Sequence, residues 1–123
     1  METTLFDGGG HAVAYIADDG ENSIYLLSGY AVAYVVNEKI YGWNGHHLGW
    51  FINGVVYNLN GRKVGSIRER CSFVMHVEPI KHAKYSKYAK SSRQAPYTRP
   101  DLGNSYSDES FDEFLKRGAV GNV

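Results

Sequence analysis

The chain has 123 residues, is 43% hydrophobic, and balances 13 Lys and Arg against 13 Asp and Glu for a formal net charge of zero. That length is one domain with a modest core, and the single cysteine, Cys71, excludes an internal disulfide framework. The start, Met-Glu-Thr-Thr-Leu-Phe, lacks a basic region followed by an apolar one, and no apolar run approaches ~18 residues, so a soluble, cytoplasmic protein without signal peptide or membrane span is expected.

Residues 5–67 write one pattern four times without an internal gap: Leu5 to Ile16, Ile24 to Val35, Ile40 to Phe51 and Val56 to Ile67. Each unit reads apolar, aromatic, any, mostly bulky, polar, Gly, two variable, aliphatic, small, usually aromatic, apolar. Gly9-Gly10, Ser28-Gly29, Asn44-Gly45 and Asn60-Gly61 supply a tight-turn signal in the middle of each copy. Further turn signals at Asp19-Gly20, Asn37-Glu38 and Asn53-Gly54 separate the copies. The pattern predicts four β-hairpins, eight short strands joined as an antiparallel meander.

A two-residue turn at Ser28-Gly29 sets Tyr25 opposite Val32 and Leu27 opposite Tyr30. On that register the aromatic column Phe6, Tyr25, Tyr41, Tyr57 and the aliphatic column Val13, Val32, Leu48, Val64 share a face and form the main core. Ala14, Ala33, Gly49 and Gly65 on the opposite face leave room for a neighbouring backbone or ring. A lone hairpin cannot bury its apolar face, so four equivalent hairpins around one axis are expected, and closing the ring covers most strand edges.

These tandem units, with Leu48-Gly-Trp-Phe-Ile-Asn-Gly-Val-Val-Tyr-Asn-Leu-Asn-Gly-Arg-Lys-Val-Gly65 as their clearest run, resemble the four-fold β-flower domain. The resemblance covers roughly residues 4–67 and rests on Gly45, Leu48-Gly49-Trp50, Gly54 and Asn60-Gly61 to Val64-Gly65. It implies hairpins arranged as petals with pseudo-four-fold symmetry, and it implies no established activity. The chain departs from the pattern at Ala14 and Ala33, where Gly precedes the aromatic, and at Ser66, where an aromatic would stand.

Charge is segregated behind the neutral total. Residues 1–67 hold 3 basic and 6 acidic side chains, residues 68–100 hold 8 and 2, and residues 101–123 hold 2 and 5. The basic middle is expected to lie against something acidic, with its own flanks nearest and nucleic acid or anionic lipid more distant. From residue 72 the period becomes three: Val74, Val77, Ile80, Ala83, Ser86, Ala89, Ser92, Ala95 and Thr98 at third places, Lys81, Lys84, Lys87, Lys90 and Arg93 at first places. Polyproline II repeats at three, and Pro79, Pro96 and Pro100 suit it; a disordered basic linker is the alternative. At ~3.1 Å per residue, 27 residues span about 80 Å, against a radius of gyration near ~11 Å for a 70-residue domain. The segment 71–106 is therefore expected to wrap the hairpins, fold back or reach a second chain. Wrapping is favoured, with the small and apolar places inward and the lysines outward.

Residues 107–118 read as one short helix, with Ser110 and Glu113 as a capping box and Phe111, Phe114 and Leu115 as its apolar stripe. Too short to stand alone, it is expected to dock on the β domain, residues 1–70. The fold class is thus mainly all-β: four antiparallel hairpins, an extended basic segment, and one short C-terminal helix.

No catalytic constellation stands out. Asp7-Gly-Gly-Gly-His11 lacks the following helix that a phosphate loop needs, and His46 and His47 are neighbours in a strand, with rings on opposite faces. No catalytic residue, cofactor or metal ligand is assigned. Tyr30, Trp43, His46 and Trp50 are the candidate ligand-facing residues, and Lys81, Lys84, Lys87, Lys90 and Arg93 the candidate polyanion contacts. The leading expectation is a non-enzymatic binding or scaffold module of unknown ligand. The alternatives are nucleic-acid or polyanion binding through residues 81–93, and a small-ligand or metal site at the symmetric centre. A protein partner or a second copy engaged through the tail is the further possibility for partners; no membrane partner is expected.

Overall fold

The computed structural model describes residues 2–71 and 76–121; Val74, one of the triplet positions above, lies outside them. Its strands are β1 Thr3–Phe6, β2 Ala12–Ile16, β3 Ser23–Leu26, β4 Ala31–Val36, β5 Lys39–Gly42, β6 His47–Ile52, β7 Val55–Asn58 and β8 Lys63–Ser66. Each pairs antiparallel with the next, and β8 meets β1 through Phe6 and Ser66, so the sheet closes into an eight-stranded barrel. A 3-10 turn, Arg68–Arg70, and one helix, α1 Phe111–Lys116, complete the regular structure of the described residues.

The turns decide the faces. At the second tip the Leu26 N–H donates to the Tyr30 carbonyl and the Gly29 N–H to the Leu26 carbonyl, which makes a three-residue loop. The same pair of bonds joins Asp7 to His11 and Gly10, Gly42 to His46 and Gly45, and Asn58 to Arg62 and Gly61. Gly10, Gly29, Gly45 and Gly61 hold the left-handed position, with φ of 83°, 103°, 91° and 79°. Two-residue turns with positive φ at both centres do occur, but between the units, at Asn37-Glu38 and Asn53-Gly54.

The longer tip forces a bulge. Ile24 pairs with Ala33 and Tyr25 with Ala31, leaving Val32 as the extra residue; Val13, Leu48 and Val64 are extra in the other hairpins. The bulge corrects the face assignment. Leu5, Ile24, Ile40 and Val56 face inward with Val32, Leu48, Val64 and the small column, while Tyr25 and Tyr41 turn to the outside of the barrel. The small residues leave room for the helix and for neighbouring backbone: an added Cβ on Gly65 would overlap the Phe111 ring, and one on Gly49 would overlap the Tyr57 carbonyl oxygen and come 3.1 Å from Phe114 Cζ. Phe111, Phe114 and Leu115 are buried in the same cluster as the inward barrel residues. An eight-stranded barrel is just wide enough to be filled by side chains, and here α1 contributes part of the filling. The Ser110 hydroxyl caps α1 by accepting from the Glu113 N–H at 3.1 Å.

Candidate functional site

Outside the barrel, the strands that join one hairpin to the next place aromatics directly opposite each other: Tyr15 with Tyr25, Tyr34 with Tyr41, and Trp50 with Tyr57. The fourth junction carries Ser66 opposite Phe6. Such cross-strand pairs would be wet on a bare barrel, yet Tyr15, Tyr25, Tyr34, Tyr41 and Trp50 are all buried. They are covered by residues 76–106, which run around the barrel as an extended belt.

The belt touches the barrel with a nine-residue period. His76 N–H donates to the Gly10 carbonyl, Tyr85 to Gly29, Gln94 to Gly45 and Gly103 to Gly61, one bond to each tip glycine. His82 to Leu27 and Ser91 to Trp43 repeat at the same spacing. Nine residues at ~3.1 Å cover about 28 Å, so four such steps close a circle of radius about 18 Å, a path just outside a small barrel and its side chains. The tip glycines serve this contact as well as the turn. A Cβ on Gly29, Gly45 or Gly61 would overlap the carbonyl oxygen of Ala83, Ser92 or Asp101 respectively.

The orientation is the reverse of the sequence expectation. Val77 and Ile80 are 95% and 89% exposed, and the cations point inward. Lys81 Nζ lies 4.4 Å from the Tyr15 ring centre, Lys84 5.2 Å from Tyr25, Lys90 4.2 Å from Tyr34, and the Arg93 guanidinium 5.6 Å from Tyr41. Carboxylates close the arrangement: Glu2 holds Lys81 and Lys84 at 3.0 and 3.1 Å, Asp19 holds Lys87 at 2.7 Å, and Glu21 reaches Lys87 and Lys90 at 3.4 Å. Outward lysines would keep full hydration. Inward ones gain ring faces and carboxylates while their side chains stay 29% to 44% accessible.

The titrations follow the contacts. Hydrogen bonds from Lys81 and Lys84 hold the Glu2 carboxyl below its usual value, and the Glu2 bond raises Lys84 in return. Burial works against the charge on Asp19, but bonds from Lys87, from Ser23 and from the Glu21 and Ser23 amides outweigh it and leave the carboxyl strongly depressed.

Of the residues singled out in the sequence, Trp43 and Trp50 lie buried beneath the belt, and the Trp43 ring N–H donates to the Tyr88 carbonyl. Tyr30 is half-buried and stacks on Tyr85 with centroids 4.4 Å apart. His46 is exposed. It lies beside a cleft of about 280 Å³ between the third and fourth tips, lined also by His47, Leu48, Leu59, Gln94, Tyr97 and Arg117. His47 is buried, its Nδ1 accepting from the Tyr97 N–H and its Nε2 facing the Gly49 carbonyl, while Gln94 Oε1 accepts from the His47 N–H. Gln94, Arg117 and the carboxylates of Glu2, Asp19 and Glu21 were missed by sequence reasoning. The recurrence of Tyr88, Tyr97 and Tyr106 and of Lys81, Lys90 and Arg99 every nine residues was the available signal. Among the described residues, no three of His, Cys, Asp and Glu converge as metal ligands, and no helix is long and apolar enough to cross a membrane.

The family described as 4-fold beta flower protein matches residues 3–115, which takes in the barrel, the belt and most of α1. The chain belongs to that family. No curated protein and no solved structure matches it. In this beta flower the family match extends well beyond the four hairpins, so the belt and most of the helix fall within the same family description as the barrel.

Proposed function

We propose that this beta flower is a non-enzymatic binding or scaffold module whose outer groove holds an extended, cation-bearing chain, its own residues 76–106 being the resident segment. The observation that carries the reading is the match between nine belt residues and one hairpin, with a backbone bond at each tip glycine. Backbone carbonyls set the register, paired aromatics accept a cation at every third residue, and Glu2, Asp19 and Glu21 supply the charge. Nothing in that recognition depends on the bound chain being covalently attached, so a second chain of the same chemistry fits the groove when the belt leaves it. We take the cytoplasm as its compartment.

The test uses the full chain with Lys84, Lys87 and Lys90 replaced by Gln, and a fluorescent synthetic copy of residues 81–97. The weakened belt should lose amide protection at Tyr85 and Gln94, and the variant should then bind the peptide while the unaltered protein does not. Lost protection without peptide binding would remove the reading.

Polyanion binding through Lys81, Lys84, Lys87, Lys90 and Arg93 is the second reading, favoured by the partial accessibility of the lysine side chains. It requires an incoming phosphate to replace Glu2, Asp19 and Glu21. Binding of heparin or single-stranded nucleic acid that falls steeply with salt supports it, and no binding at low salt ends it.

A further inference from the structure

The four tips carry Gly8, Leu27, Trp43 and Leu59 at one equivalent place, each beside the cleft shared with the preceding hairpin. Trp43 fills its cleft: it is 2% exposed, its backbone N–H donates to the Val32 carbonyl at 3.0 Å, and its ring N–H meets the Tyr88 carbonyl. Gly8 leaves room for the Tyr106 ring, which an added Cβ would meet at 2.9 Å, and an opening of about 390 Å³ lined by Gly8, Val64, Tyr106 and Phe111 lies beside it. Leu27 packs on Tyr15, Ala17 and Tyr25. Between the third and fourth tips the place falls to Leu59, which is half-buried, and the opening of about 280 Å³ remains.

That opening keeps two of the residue places around Trp43: Leu48 stands where Val32 does, and Tyr97 where Tyr88 does. Tyr97 follows Tyr88 by nine residues and brings the corresponding carbonyl, to which none of the described residues donates. Leu48 and Leu59 give apolar walls, and the Tyr97 ring, stacked on His47 with centroids 5.8 Å apart, gives a flat one. Arg117 adds a permanent positive charge at the rim, 52% accessible and bound on one side by Glu109 at 3.0 Å. The size is near the lower end of small-molecule sites, about 300 Å³.

We infer that the cleft between the third and fourth hairpin tips binds a small planar aromatic acid with a ring N–H, an indole-like carboxylate. The ring takes the place that Trp43 occupies one hairpin earlier, the ring N–H donates to the Tyr97 carbonyl, and the carboxylate pairs with Arg117. This site is separate from the belt groove and does not depend on whether that groove accepts a second chain.

The experiment titrates the full-length protein with indole-3-acetate and, separately, with indole, following the amide shifts of Leu59, Gln94 and Tyr97. Saturable shifts at millimolar ligand or below are expected for indole-3-acetate. Arg117→Gln should weaken indole-3-acetate about ten-fold, the loss of one charge-assisted pair, and leave indole unchanged. Leu59→Trp should fill the cleft and abolish both. Shifts that do not saturate, or a Leu59→Trp protein that binds as before, overturn the inference. Should Leu59→Trp not fold, Arg117→Gln decides alone: an equal effect on the acid and on indole, or none on either, overturns it.

Discussion

The His47 ring accepts the Tyr97 amide through Nδ1 at 2.9 Å and lies stacked against the Tyr97 ring, and its backbone N–H donates to Gln94 Oε1, so one barrel residue fastens the belt by three contacts. Because Nδ1 is an acceptor, the ring proton sits on Nε2, which donates to the Gly49 carbonyl at 2.9 Å. Burial lowers the His47 pKa; the bond to Gly49 works the other way, and Lys39 adds to the lowering. The unfolded chain, with a histidine near about 6.5, takes up the proton first, so stability is complete above that pH and declines as pH falls toward the lower folded value. Protonation at Nδ1 also removes the Tyr97 bond. His47→Gln should flatten the pH dependence of the melting temperature between neutral and mildly acid conditions. An unchanged slope in the variant would show that the buried ring does not control it.

Comparing a glycine between the repeat units with a tip glycine should divide turn strain from belt contact. Gly20 has φ +79° and open space where a Cβ would go, whereas Gly45 has φ +91° and the Ser92 carbonyl oxygen there. Gly20→Ala is expected to cost about 1 kcal/mol in chemical denaturation, the ordinary left-handed penalty. Gly45→Ala should cost distinctly more and should speed exchange of the Ser91 and Gln94 amides, whose acceptors are at that tip. Equal costs for the two would mean the belt contributes nothing at the third tip.

How much of this was legible in the sequence depends on distance along the chain. The four hairpins, the small column and the short helix were legible because each is written within a few residues. Which face is the core was not, because Ser28-Gly29 signals a two-residue turn and a three-residue turn with a left-handed glycine equally well. The one-residue difference makes Val32 a bulge and turns Tyr25 outward. The inward lysines were hidden for a related reason. Charge at every third place reads as a solvated face unless the aromatics Tyr15, Tyr25 and Tyr34 are known to be outside the barrel. Of the candidate ligand residues, His46 does border the cleft. Leu59 and Arg117 were invisible, one as an ordinary turn residue and the other as a helix-terminal cation.

Trypsin reads the orientation of the lysines directly. The enzyme needs the lysine side chain in its own pocket, but Lys87 sits between Asp19 at 2.7 Å and Glu21 at 3.4 Å, and Lys90 shares Glu21. Native cleavage after Lys87 and Lys90 should be slow despite the exposed backbone, and should track the small open population. Glu21→Gln removes two partially exposed pairs, each worth up to about 1 kcal/mol, so cutting should be roughly five-fold faster or more. Rapid cleavage of the unaltered protein would contradict the inward geometry.

The helix should matter more than its length suggests. Phe114 has no exposed surface, sits in the inward cluster, and presents its ring to Gly49. Phe114→Ala removes a fully enclosed ring at the place where small residues were required, at a cost of about 3–5 kcal/mol. Gly65→Ala approaches the same contact from the other side, since the added Cβ overlaps the Phe111 ring and forces α1 to shift. Gly65 is not among the residues with positive φ, so its strain comes from the ring alone. Truncating that ring in Gly65→Ala/Phe111→Leu should therefore restore part of the loss, and denaturation of the two single variants and the double measures the coupling. Strict additivity would mean that the helix does not seat on the small column.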